Sequence, residues 1–365
     1  MSSVDNSRAR AAAVARMQQE LRHREKLDLA AMARLSSEVP PAWTPGVVAS
    51  LASEVDHSPY LRFIREQGGY GCTYCARSAC WDIMNEKACP YSPTMSVNRQ
   101  LWVWARVALH HEGVEAAGVN YTLSRKDYFV GYGCPTEGTE LTNSDAVQWP
   151  TVEGDREAPN YRIAGPATPI NVNVKDLKVN LAKTPVSIVV YDGAHSVALV
   201  GYSDKTQKLK FVDNYGDQSG EGGFGYISYA DVPQAIQGAE RVEFVPPRSV
   251  PTAVVRFNHS CRQDVHLWIG IEGRPSARLI WPSGQLQDVS RNLNFCVTLP
   301  RGFAWPPAQG NRLFLQVFDA GGRYQSGGDL VEFTAAFCGQ TVPCSQLAQG
   351  PAHFSPYQTV RFYIP

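Results

Sequence analysis

The hydrophobic pattern changes period along the chain, and those changes divide it. Over residues 1–40, Val14, Met17 and Leu21, then Met32 and Leu35, recur at helical spacing among Ala, Arg and Glu, which predicts a helix. Pro40 and Pro41 stop it. Residues 41–66 carry short apolar pieces and a charged linker. From 67 to about 115 the period is helical again, with one helix opening near Cys72 and another over 97–109 carrying Leu101, Trp102, Trp104 and Val107. Residues 116–183 are dense in Gly, Pro, Asn and Thr and read as loop. Strand-length apolar runs then take over at 185–191 (PVSIVVY) and 196–202 (SVALVGY), both continuous enough to be buried strands. Residues 209–212 and, past a glycine-dense loop at 216–225, residues 226–229 predict two more strands. Helices before strands, without βαβ alternation, predict an α+β unit.

Pro246, Pro247 and Pro251 mark a linker. Beyond it, short apolar runs at 253–257, 265–271, 277–281, 294–299, 313–318 and 330–337 are separated by turn residues, the pattern of an all-β sandwich. The expected organisation is therefore an N-terminal helical segment (1–40), an α+β domain (41–245) and a β-sandwich accessory domain (246–365). The first segment is either an exposed docking helix or an inhibitory pro-segment lying over a cleft.

Composition narrows the function classes. A chain of 365 residues is too long for one ordinary core, and 44% apolar with 19% charged residues describes a globular protein. Lys plus Arg and Asp plus Glu number 34 each, so nothing in the charge points to nucleic acid or an anionic membrane. No apolar run approaches the roughly 20 residues that cross a bilayer. The N-terminus lacks the apolar core of a secretory signal, so the expected location is cytoplasmic, or the chain is a trimmed secreted form.

Nine cysteines are unevenly grouped: Cys72, Cys75, Cys80, Cys89 and Cys134 early, Cys261, Cys296, Cys338 and Cys344 late. An odd count fits one reactive thiol beside disulfides, with the odd thiol in the early group, or fits reduced cysteines throughout.

Cys72 draws attention because a glycine-rich stretch, Gln67-Gly68-Gly69-Tyr70-Gly71, leads into it and a helix-compatible run follows. A sulfur at a helix N-terminus meets unpaired N–H groups and the positive end of the macrodipole, both of which favour thiolate. Gln67 carries an amide donor that the loop can fold over a developing oxyanion. A thiolate nucleophile needs a base. Of eight histidines, His195 alone follows a small-residue pair, Gly193-Ala194, and opens a buried strand. Asn214 stands at the far end of the next strand, and an antiparallel pairing would set it beside His195. Its carboxamide would accept one imidazole N–H and leave the other nitrogen to Cys72. Other readings stay open. Cys72, Cys75, Cys80 and Cys89 could hold zinc, although only one C-x2-C pair exists. A CxxC redox site would want a βαβ context. His195 could be a core histidine.

The stretch 67–79 resembles the active-site helix start of papain-like cysteine peptidases. Residues 193–202 are similar to their histidine strand, 213–216 with 220–226 to their asparagine segment and glycine turn, and 132–137 to a loop of bacterial-type members. The resemblance covers about 41–245. It implies a papain-like two-lobed fold acting on a peptide or protein substrate, with no metal or organic cofactor. Cys72 becomes the nucleophile, His195 the acid/base, Asn214 the orienter and Gln67 the oxyanion donor. The sequence departs from the pattern in three ways. One residue is missing between Gln67 and Cys72, so an ungapped match would put Thr73 at the nucleophile position. Cys72 is preferred because Cys72-Thr73-Tyr74-Cys75-Ala76 keeps the family pattern, with Cys75 the next candidate. The tryptophan that shields the asparagine is absent and Tyr215 stands there instead; residues 1–40 show no pro-segment signature. Residues 254–260, 264–269, 313–319 and 327–330 with Phe333 resemble the P-domain β-sandwich attached to some proteases, which implies a stabilising or substrate-docking role. The sequence therefore predicts a cysteine endopeptidase working through an acyl-enzyme. The alternatives are a catalytically inactive peptide- or partner-binding protein on the same fold, and an acyl transferase such as a peptide ligase, a transglutaminase-like enzyme or an amidase.

Overall fold

A computed structural model describes residues 51–65, 72–97, 99–100, 129, 133–135, 151–165, 167–190, 195–216, 219–260, 264–274, 277–281, 291–300, 303–307, 310, 312–321 and 327–365. The expected helix over 1–40, most of the helix over 97–109, and Gln67 lie outside the described residues.

Through residue 241 the described elements are β1 (Glu54–Asp56), α1 (Cys72–Ala88), α2 (Val152–Glu157), β2 (Thr168–Pro169), α3 (Val174–Leu181), β3 (Val186–Val190), β4 (His195–Ser203), β5 (Lys208–Val212), β6 (Phe224–Ser228), α4 (Val232–Ala235) and β7 (Ile236–Arg241). Their strands form one antiparallel sheet in the order β2-β7-β3-β4-β5-β6, and β1 pairs with the C-terminal end of β4. The arrangement is α+β.

β4 explains the sheet. Its residues from His195 to Tyr202 are buried, because both of its faces are covered. Val197 and Leu199 join Leu177 and Leu181 of α3 and Val186, Ile188 and Val190 of β3 in one cluster. Ala198 and Val200 point the other way, onto Ala79, Cys80 and Ile83 of α1. A strand covered on both sides reads as an unbroken apolar run, which is why SVALVGY lacks polar alternation. Each fully buried Val, Leu or Ile here contributes roughly 1.5–3 kcal/mol relative to exposure.

At Gly201 the β4–β5 register shifts, and β1 crosses close enough that a Cβ there would collide with the Val55 carbonyl oxygen. Gly201→Ala is therefore expected to lower stability by about 1–3 kcal/mol through overpacking against backbone that cannot yield. A urea midpoint unchanged from that of the parent chain would contradict this contact.

Two helices lie inside the stretch expected to be loop. Thr151 caps α2 by accepting from the Gly154 N–H at 2.9 Å, and Asn173 caps α3 by accepting from the Asp176 N–H at 2.8 Å. Leu177 and Leu181 are one helical turn apart and fully buried. The helices are 6 and 8 residues long, short enough for surrounding Gly, Asn and Pro to mask their period. β1, β2 and β7 also escaped prediction; β7 (IQGAER) is held by pairing to β3 and not by apolar alternation.

The remaining strands are β8 (Thr252–His259), β9 (Val265–Ile271), β10 (Arg278–Trp281), β11 (Arg291–Thr298), β12 (Leu313–Asp319), β13 (Gly328–Phe337), β14 (Gln340–Pro343), β15 (Ala352–Phe354) and β16 (Thr359–Ile364). They form two antiparallel sheets among the described residues, one ordered β10-β9-β12-β16 and one β11-β8-β13-β14 with β15 also on β13. Both sheets feed one hydrophobic core, through alternate residues such as Ala253, Val255 and Phe257 of β8 and Leu313, Leu315 and Val317 of β12. On β13 the inward parity changes from Leu330 to Phe333 and Ala335, because a bulge between Leu330 and Glu332 shifts the register. Phe63 joins this core from the first part of the chain. The segment 91–94 ties the two parts together: Thr94 N–H donates to the Cys296 carbonyl at 3.0 Å, and the Thr252 hydroxyl donates to the Tyr91 carbonyl at 2.9 Å. Among the described residues no helix is long and apolar enough to cross a membrane.

Candidate active site

Three elements converge on Ser196, the second residue of β4. Thr73, in the first turn of α1, donates its hydroxyl hydrogen to Ser196 Oγ at 3.0 Å. Asn214, two residues past β5, donates from Nδ2 to the carbonyl of Ser196 at 2.7 Å and to the carbonyl of Cys72 at 3.0 Å. The Ser196 backbone is hydrogen-bonded to the Cys72 sulfur. Cys72 opens α1 and is buried, with no acidic residue in the helix's first turn to oppose a negative charge.

His195 starts β4 opposite Val190 of β3, so its backbone is held by the sheet. Its side chain is hydrogen-bonded to the Cys72 sulfur on one side and to Asp213 on the other. Nε2 lies 3.3 Å from Asp213 Oδ1. The second carboxylate oxygen, Oδ2, accepts from the Ser219 hydroxyl at 2.7 Å, and the Asp213 N–H donates to the Gly223 carbonyl at 2.9 Å. The Tyr215 ring stacks on the imidazole, with centroids 5.0 Å apart and planes at 16°, and is itself 51% exposed.

Opposing effects set the charges. Burial pushes the Cys72 thiol up, but hydrogen bonds from His195 and the Ser196 backbone, with the charge of His195, outweigh it and leave the thiol below its ordinary value. Burial pulls His195 down, but the hydrogen bonds and charges of Asp213 and Cys72 raise it to about 9. Burial also pushes the Asp213 carboxyl up, and His195, Ser219 and the Tyr215 backbone more than reverse that. A lowered thiol beside a raised imidazole is the signature of a thiolate–imidazolium pair.

Solved cysteine proteases resemble this chain. Xylellain, a cysteine protease from Xylella fastidiosa, is 17% identical with a TM-score of 0.44, over 56% of this chain and 91% of that one. Digestive procathepsin L 3 of Tenebrio molitor larval midgut is 13% identical with a TM-score of 0.44, over 66% and 89% of the two chains. The Amb a 11 cysteine protease, a major ragweed pollen allergen, in its proform, is 13% identical with a TM-score of 0.45, over 60% and 75%. No family model and no curated protein matches the sequence.

Of the residues singled out in the sequence, the structure brings Cys72, His195 and Asn214 together, and Gln67 lies outside the described residues. The hydrogen bonds divide otherwise than expected. The Asn214 amide nitrogen ties α1 to β4, while the carboxylate beside the imidazole belongs to Asp213. Sequence reasoning gave no role to Asp213 or Ser196, and named Thr73 only as the position an ungapped match would give the nucleophile. Consecutive residues leaving a strand point to opposite sides, so Asp213-Asn214 in sequence does not say which one reaches the ring. Cys75 is one turn farther into α1 and only 1% exposed. Cys80 is pushed up to about 12 by burial. Among the described residues no group of three or more His, Cys, Asp and Glu side chains is placed to hold a metal. Cys296, Cys338 and Cys344 are free thiols, so the late group of cysteines forms no disulfide within itself.

Proposed function

We propose that this chain is a cysteine peptidase of papain-like architecture that hydrolyses peptide bonds through an acyl-enzyme on Cys72. The observation that carries the reading is the hydrogen-bonded pair of Cys72 and His195, a thiol at a helix start with its pKa lowered and an imidazole with its pKa raised to about 9. The Cys72 thiolate attacks the peptide carbonyl carbon, forming the S–C bond and moving the carbonyl π pair onto oxygen. The Cys72 backbone N–H and the Gln67 side chain serve as donors to that oxyanion. Imidazolium His195 gives its proton to the leaving nitrogen as the C–N bond breaks, then takes one from the water that attacks the thioester. Released carboxylate and regenerated thiolate complete the cycle. Asn214 holds the carbonyl of Cys72 against that of Ser196 and so keeps the first turn of α1 in register with β4. Residues 41–245 form the catalytic unit in this reading, and 246–365 form an accessory β-sandwich.

The test is incubation of the full chain with an unfolded protein, followed by mass-spectrometric identification of product termini. Paired new α-amino and α-carboxyl termini are expected. Products capped by an added primary amine would mark an acyl transferase, and a labelled Cys72 without turnover would mark a binding protein.

The two pKa shifts also fix the pH profile. The reacting ion pair exists above the thiol's lowered pKa and below the imidazolium's, so kcat/KM is expected to rise on an acid limb and fall as pH passes about 9. A rate that kept climbing well beyond pH 9 would contradict an imidazolium proton donor.

A further inference from the structure

We infer that Asp213, not Asn214, is the residue that orients His195, holding the Nε2 hydrogen so that Nδ1 faces the Cys72 sulfur. The inference rests on Cys72 and His195 being the reacting pair. It starts from hydrogen-bond capacity. The Asn214 amide nitrogen has two donors, and both are spent, on the Cys72 carbonyl and the Ser196 carbonyl. Those two bonds fix its side chain between α1 and β4. With the amide so fixed, the partner of the ring is the carboxylate of Asp213: Oδ1 sits 3.3 Å from Nε2 while Oδ2 is pinned by Ser219 and its own N–H is tied to Gly223. The carboxylate is therefore held by two contacts, one from the glycine loop and one from the ring, and cannot swing away without breaking both, while the bond to Gly223 fixes its backbone. Tyr215 closes one face of the imidazole by stacking, which leaves the ring little freedom to turn.

A carboxylate differs from a carboxamide in what it does to the pair. An amide oxygen would fix the tautomer only, whereas a charge also stabilises imidazolium over imidazole. Among the described residues, the charged and titratable groups facing the ring include Cys72 from α1, Asp213 from the segment after β5, and Tyr215 stacked upon it. Asp213 in turn faces His195 and Ser219. Asp213 is thus an anion acting on the ring besides the sulfur itself. With the carboxylate present the thiolate–imidazolium state spans a broad pH range; without it that range contracts from both ends, because the imidazolium that stabilises the thiolate is itself less stable.

The experiment is the pH dependence of alkylation at Cys72 by a small neutral haloacetamide, read site by site by mass spectrometry, on the full chain and on Asp213→Asn, Asp213→Glu and Asn214→Ala. It needs no turnover of any substrate. The parent profile is expected to show two inflections, one at the lowered thiol pKa and one near 9. Asp213→Asn, which keeps the shape and an acceptor oxygen, is expected to move the upper inflection down by about one to three pH units and the lower one up. Asp213→Glu is expected to keep the two inflections well apart, as a charge effect requires and a shape effect does not. Asn214→Ala is expected to lower the alkylation rate while leaving the separation of the inflections in place. The reverse, with Asn214→Ala closing the window and Asp213→Asn leaving it open, would overturn the inference and return the orienting role to Asn214. Should Asp213→Asn fail to fold, a ring-nitrogen NMR titration of His195 in Asp213→Glu and the parent serves instead: an imidazolium pKa near the ordinary histidine value in both would overturn it. A parent profile with a single inflection at an ordinary thiol pKa would instead sink the proposed function, so the two failures are told apart.

Discussion

Cys72→Ala is expected to abolish peptide hydrolysis, a loss of about 10⁴-fold or more in kcat/KM, and to abolish labelling by a peptidyl electrophile. Cys75→Ala is expected to leave both within about threefold of the parent, a change of less than 1 kcal/mol in barrier height. The contrast follows from position. The Cys72 sulfur is hydrogen-bonded to His195 and to Ser196, and lies where the helix leaves its first N–H groups unpaired. Cys75 is one turn inward and 1% exposed, so an incoming carbonyl carbon cannot approach its sulfur without moving the helix. Alanine at 72 keeps the helix propensity and the buried volume nearly unchanged, so lost activity would report chemistry and not folding. The measurement is initial-rate hydrolysis with both variants, paired with mass-spectrometric location of the label. If label and turnover persisted in Cys72→Ala and vanished in Cys75→Ala, the nucleophile would be Cys75 and the pairing with His195 would be incidental.

The sequence carried this site unevenly, for physical reasons. Cys72 and His195 were legible because each sits where an element begins: a glycine-rich loop entering a helix, and a small-residue pair entering a buried strand. Such positions are punctuated in the sequence itself. Whether Asp213 or Asn214 meets the ring was not legible, since it depends on the twist with which the chain leaves β5. Ser196 was invisible for another reason. It acts through its backbone and by accepting from Thr73, and a serine opening a strand carries no mark of either role.

The fold shows the same division. Strands buried on both faces, β3 and β4, and the alternating strands β8, β9 and β12 announce themselves by periodicity alone. β7 and β14 are held by their partners in the sheet, as Ile188 to Ala239 and Ala335 to Val342, and their own composition (IQGAER, QTVP) is too polar to predict them. The short helices α2 and α3 are fixed by caps at Thr151 and Asn173. Those caps were present in the sequence, but too little apolar periodicity followed them to be noticed.

Asp82→Ala is expected to destabilise the first part of the chain by about 3–5 kcal/mol, the loss that follows when one member of a buried ion pair is removed. Asp82 lies on the inner face of α1, where Oδ2 accepts from Arg65 Nη1 at 2.6 Å and Oδ1 accepts from the Met95 N–H at 2.8 Å. Arg65 Nη2 donates to the Met95 carbonyl at 2.8 Å, which closes the ring of contacts. The side chains of Arg65 and Asp82 are 3% and 6% exposed, so water cannot replace either partner. Alanine would leave a guanidinium and a backbone N–H without their acceptor in the interior. Asp82 is ten residues along α1 from Cys72, roughly 15 Å at 1.5 Å per residue, so the pair fixes the far end of the helix whose first residue is the nucleophile. Asp82→Asn keeps an acceptor for Met95 and is expected to cost less than alanine. Replacing both members, as Arg65→Met with Asp82→Leu, is expected to cost well below the sum of the single changes, because no uncompensated charge remains. Urea unfolding of the parent, Arg65→Met, Asp82→Leu and the double variant supplies the cycle, with Cys72 alkylation in each folded variant reporting whether the helix start has moved. Single variants that each cost under about 1 kcal/mol would show that the pair is solvated in solution, and that α1 is held by its other contacts, among them the packing of Ala79, Trp81 and Ile83.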